Sequence, residues 1–84
     1  MSEHRVSLTR HTADMLAERG IEHQWVDRTV HEPDSIEPDP ERGNVFRAFR
    51  SIPERQGRVL RVVYALSGNQ IRVITAFFNR ARRR

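Results

Sequence analysis

Apolar residues recur at helical spacing in the first part of the chain and at strand spacing in the last. Val6 and Leu8 fall on one side of a short extended entry over 5–8. From 10 to 19, Met15 and Leu16 join Leu8 and Thr12 on one face at steps of three, four and seven, which predicts a first helix. Thr9 stands where a hydroxyl can cap that helix, and Gly20 where a left-handed residue can end it. The pattern repeats over 21–31 with Ile21, Trp25, Val26 and Val30, and Glu32-Pro33-Asp34 closes this second helix. Residues 35–43, with Pro38 and Pro40 among charged residues, read as a loop or an edge segment.

Strand text follows over 44–52, 58–66 and 70–78, separated by turns at 53–57 and 67–69. A two-residue Gly68-Asn69 turn sets the last register: Leu66 opposite Ile71, Tyr64 opposite Val73, Val62 opposite Thr75 and Leu60 opposite Phe77, all on the core face. The second face then carries Val59, Arg61, Val63 and Ala65 beside Arg72, Ile74, Ala76 and Phe78. One residue of register in the 53–57 turn decides whether strand 44–52 adds Arg47 and Phe49 to that face, the placement preferred here, or Phe46 and Ala48. The expected fold is α+β, with two N-terminal helices packed on a three- to four-stranded antiparallel sheet. Residues 1–84 form one domain, and 79–84 are a basic, mobile tail.

Charge changes the picture. Residues 42–84 hold eleven Arg against Glu54 alone, a balance of +10, whereas 1–41 balance to −6, so the net +4 hides a polarised molecule. All fifteen basic residues are Arg, whose planar fork matches phosphate oxygens and stacks on bases. The partner this suggests is an anion, nucleic acid first, although a solvated face filled with Arg reads the same way. With 84 residues the chain is near the lower size for an independent core, and an oligomer or partner would add stability. Cysteine is absent, which excludes disulfides and thiolate metal sites and fits a reducing cytoplasm. No signal-like stretch is present, and no apolar run approaches the roughly 18 residues of a membrane span. A soluble cytoplasmic protein is expected.

Several segments resemble a family. Thr9-Arg10-His11-Thr12-Ala13, Met15, Ala17-Glu18-Arg19-Gly20-Ile21, Glu32-Pro33-Asp34, Gly57-Arg58-Val59-Leu60-Arg61-Val62-Val63 and Ile71-Arg72-Val73-Ile74-Thr75-Ala76 are similar, in order and spacing, to the small prokaryotic domain of unknown function 4258. That family is similar in layout to the BrnT toxins and, through them, to the RelE and ParE toxins. The resemblance implies a RelE-toxin-like fold and a ribonuclease, free or ribosome-associated, held in check by an antitoxin. The chain departs from the family pattern at Thr12, where the motif usually continues with Ala, and at Glu22, where Ser tends to cap the second helix. Glu22 can act there only through the helix dipole, so the second helix should start less firmly.

Metal-independent RNA cleavage needs a proton acceptor, a proton donor and cations around the phosphorane. His11 is the candidate acid or base, its other reading being a helix-end ring that satisfies a buried backbone group. Arg61 and Arg72 are the leading phosphate ligands, with Arg47, Arg80 and Arg82 beside them, and Phe49 and Phe78 are candidates to stack on bases. Against these stand carboxylate pairing of Arg61 and Arg72 with the acidic loop 37–41, and a homodimer surface for the two Phe. Helix one covers the core face while Arg61 and Arg72 point from the other, so His11 and these Arg need not share a pocket. Arg19 reads as structural, either a snorkelling stem or the buried partner of an acid, and Trp25 and Tyr64 read as core. His4, His11, His23 and His31 lack zinc-site spacing, and no cofactor is implied. Two functions remain in view: a toxin-like RNA-binding or RNA-cleaving protein acting on RNA or the ribosome with an acidic antitoxin as partner, or a non-catalytic module docking an acidic protein through its Arg-rich sheet face and tail.

Overall fold

Thr9 opens the first helix as its hydroxyl implies, accepting the Thr12 amide at 3.1 Å. The computed structural model describes residues 5–83, with side chains from 5 to 79. Its elements are β1 (Arg5–Ser7), α1 (Arg10–Glu18), α2 (His23–His31), β2 (Ser35–Pro38), β3 (Val45–Ile52), a 3-10 turn (Pro53–Arg55), β4 (Arg58–Ser67) and β5 (Gln70–Arg83). Gly20, at φ +68°, ends α1: its amide bonds to Ala17 O at 3.1 Å while that of Ile21 reaches back to Leu16 O at 2.9 Å. This double closure satisfies the last carbonyls and folds Ile21 onto Leu16 in the core. Glu22 sits at the N-cap of α2 without a side-chain capping bond. Replacing it with Ser should supply one and raise stability by about 0.5–1 kcal/mol, which thermal melting of Glu22→Ser against the wild type would detect.

The class is α+β, and the sheet has five strands in the order β1-β5-β4-β3-β2. It is mixed, because β1 pairs parallel to β5, Val6 opposite Ile71. Both additions to the expected three or four antiparallel strands are edge pieces. Residues 5–7 form a strand of three, and Ser35–Pro38 pairs antiparallel to β3, with Pro38 at its end where a missing amide costs the ladder least. The helices accordingly follow a strand rather than opening the fold.

Both helices cover one sheet face. Leu16, Trp25, Val26 and Val30 pack on Ala48, Ile52, Leu60, Val62, Tyr64, Ile71, Val73 and Ala76, all buried. Arg50, on β3, donates to Glu32 O at the end of α2, and Asp34 accepts the Ser51 amide at 2.9 Å, so the Glu32-Pro33-Asp34 segment ties α2 to the sheet.

The β4–β5 register follows the turn only part of the way. Leu66 faces Ile71 and Tyr64 faces Val73 as expected, but a bulge at Ile74 shifts the pairing by one residue. Val62 then faces Ala76 and Leu60 faces Phe78, in place of Thr75 and Phe77. Phe78 therefore belongs to the helix-covered face and Phe77 to the outer one, the reverse of the alternation that an unbroken strand dictates. The backbone of β5 also continues to Arg83, opposite Arg58, where the sequence suggests a tail beginning at 79. Strand pairing offers that segment backbone partners that its polar side chains do not advertise. The side chains of Arg80 and Arg82 lie outside the described residues.

Candidate anion-binding cleft

Pro53 starts the 3-10 turn, and Gln56 at φ 59° and Gly57 at φ 77° reverse the chain into β4, so that Arg58 pairs with Ile52 and Arg55 stands on the turn itself. The Arg55 guanidinium lies over two rings, 5.9 Å from the centroid of Trp25 and 4.9 Å from that of Phe78, and donates to Gly20 O at 3.2 Å. Arg58 lies 5.2 Å from the Phe78 centroid. Trp25 and Phe78 meet edge to face at 6.1 Å. Two guanidinium groups thus share one aromatic floor, to which the ring faces attract them.

Arg19, at the end of α1, supplies the third. Its Nη1 donates to Ala76 O at 2.7 Å and to Thr75 Oγ1 at 3.3 Å. The side chain is exposed and reaches the backbone of β5, not an acid, which corrects its reading as a buried ion-pair partner. Arg19, Ile21, Arg55, Arg58, Phe77 and Phe78 line an open cleft of about 270 Å³. No carboxylate is among them.

Glu54, next to Arg55 in the chain, is turned elsewhere. Glu54 takes a two-pronged bond from Arg28, both contacts at 3.0 Å, and this pins the 3-10 turn to α2. The pairing raises the Arg28 pKa and lowers that of Glu54, the hydrogen bond between them being the main cause in each case. A carboxylate whose folded pKa is depressed contributes stability above its unfolded value, roughly 4.3, and loses it as pH falls through the folded value. Asp39, lowered chiefly by the Glu41 amide, acts in the same direction. Glu54→Gln should therefore melt below the wild type at neutral pH, and the gap should close on acidification below about pH 4. A gap that persists in acid would mean that Glu54 acts through packing rather than charge.

On the outer face, Phe49, Arg61 and Phe77 stand in register across three strands. Arg61 lies between the rings, 5.9 Å and 5.2 Å from their centroids, with its Nε buried and unbonded among the described residues. Phe49 is only 3% exposed, so its ring is not presented to a base as the stacking reading requires. Phe78 is half-buried, meets Trp25 on the helix side and lines the cleft. Arg47 lies on the outer face between Glu37 and Val63, and Arg72, exposed, lies opposite Ala65. Among the described residues, Arg28 pairs with Glu54 and Arg42 with Asp39.

His11 is exposed on α1, which overturns its alternative reading as satisfying a buried group. It precedes Arg19 by eight residues, about 12 Å of helix rise, and does not line the cleft. The structure thus groups Arg47, Arg61 and Arg72 on one face and leaves His11 apart. Among the described residues no three His, Cys, Asp or Glu side chains are placed to hold a metal ion. No helix is long and apolar enough to cross a membrane.

Arg55, Arg58 and Phe77 are the cleft residues that sequence reading passed over. Two arginines flanking one chain reversal were the available signal, since residues bracketing a turn project from the same end of a sheet. Phe77 was hidden by the bulge. Phe77 borders the cleft and its ring carries Arg61, so this residue lies between the cleft and the outer face.

Compared with known proteins, residues 8–78 match the family model described as Domain of unknown function (DUF4258). No curated protein and no solved structure matches the chain.

Proposed function

The chain belongs to the DUF4258 family, and from its site we propose that it is an RNA-binding protein that grips phosphates in the Arg19, Arg55 and Arg58 cleft. The observation that carries this reading is the convergence of three guanidinium groups from three elements on a cleft without a carboxylate. Like charges held together raise the local potential and favour an anionic ligand. The path through Phe77 to Arg61 extends the basic surface onto the outer face, where Arg47 and Arg72 can meet further phosphates along the strand. A toxin-like role, with RNA or the ribosome as target and an acidic antitoxin as partner, rests on likeness of layout to the RelE toxins and is kept as the wider setting of this proposal.

Binding is favoured over cleavage because the cleft lining holds neither a His nor a carboxylate, and His11 lies elsewhere. The direct test is titration of the full chain with single-stranded RNA at several salt concentrations. Three phosphate contacts should give a slope of roughly −2 in log affinity against log salt. His11→Ala should leave that affinity, and any cleavage seen on gels, unchanged. Salt-independent or undetectable binding would sink the RNA reading and favour an acidic protein as the partner.

A further inference from the structure

The number of cations in the cleft says what kind of phosphate fits it. An internal phosphodiester carries one charge, whereas a terminal phosphomonoester carries nearly two near neutrality, on three acceptor oxygens. Each guanidinium has five N–H donors in a fixed fork. Arg55 spends Nη1 on Gly20 O and Arg19 spends Nη1 on Ala76 O and Thr75 Oγ1, while the Arg58 guanidinium lies over the Phe78 ring. Most of the fork donors are therefore still available. Arg55 and Arg58 both lie against the Phe78 ring and both line the cleft with Arg19, a gathering of like charges that a dianion offsets better than a monoanion does. The volume of about 270 Å³ is on the scale of one nucleotide, and Ile21, Phe77 and Phe78 provide an apolar side for the sugar or base next to the phosphate.

We infer that the cleft recognises the phosphorylated end of an RNA, taking a terminal phosphomonoester where three guanidinium groups converge. This rests on the RNA-binding reading and narrows it to chain ends. The ligand chemistry is the same whether the phosphate sits at the 5′ or the 3′ terminus.

Calorimetric titration of the full chain with unlabelled short RNAs of one sequence separates these cases. One strand carries a 5′-phosphate, one a 3′-phosphate and one hydroxyls at both ends, with a slightly longer hydroxyl-ended strand matching the total charge. At a fixed salt concentration, one phosphorylated strand should bind roughly tenfold or more tightly than both hydroxyl strands, and which one identifies the end. Arg58→Ala should abolish that preference, whereas Arg42→Ala, whose guanidinium pairs with Asp39 and does not line the cleft, should keep it. Equal binding of all four strands would overturn the inference while leaving the RNA reading intact. Binding of none would remove both. Circular dichroism of each variant shows that it remains folded, and a folded Arg58→Ala protein that keeps the full preference would also overturn the assignment to this cleft.

Discussion

Arg55→Ala combined with Arg58→Ala is expected to weaken binding of single-stranded RNA by at least roughly a hundredfold at low salt, because each change removes a charge-assisted contact of about 1.5–3 kcal/mol. The dependence on salt should flatten at the same time, by about 1.4 units of slope for two lost phosphate contacts on a single strand. Both side chains lie over rings at the protein surface, so the fold should survive their loss with a modest drop in melting temperature. Arg61→Ala with Arg72→Ala supplies the comparison. A greater loss of affinity in that pair than in the cleft pair would move the principal site to the outer face.

Leu60→Ala should cost about 2–5 kcal/mol. Leu60 is fully buried on β4, between β3 and β5, and belongs to the cluster under the helices. The sheet on both sides cannot collapse into the space left behind without breaking its ladders. For a small domain whose whole stability is of the order of 5–15 kcal/mol, this is a large fraction, and the urea midpoint should fall sharply with the slope unchanged. A loss below about 1 kcal/mol would mean that the core repacks readily around β4.

Sequence patterning revealed the helices because Leu16, Trp25, Val26 and Val30 recur at helical steps and Thr9 and Gly20 punctuate the ends. It placed Arg61 and Arg72 on one face through the Gly68-Asn69 turn, and preferred Arg47 and Phe49 beside them although one residue of register in the 53–57 turn was open; the strand pairing bears that preference out. The bulge at Ile74 escaped because β-branched residues continue smoothly through it: Val73, Ile74 and Thr75 look like any strand interior. One residue of slip was enough to exchange Phe77 and Phe78. The two edge strands were obscured for different reasons, β1 by its three-residue length and β2 by prolines. The cleft was least legible of all. Its residues come from 19–21, 55–58 and 77–78, and in a chain whose basic residues are all Arg no single arginine stands out until folding brings three together.

The parallel pairing of β1 with β5 imposes an order on assembly. Residues 5–7 have no ladder to join until 70–72 have been made, and α1 and α2 lie on strands that follow them in the chain. During synthesis from the N-terminus, the helical hairpin therefore emerges with Leu16, Trp25 and Val26 lacking the surface that buries them. The β3–β4–β5 meander, by contrast, closes through short connections, whose entropy cost is small. Folding should then nucleate late in the chain, with the N-terminal third docking onto a sheet already formed. For tens of residues of elongation, an apolar helix pair waits unburied, an interval in which a chaperone or a second nascent chain competes with the protein's own final strands.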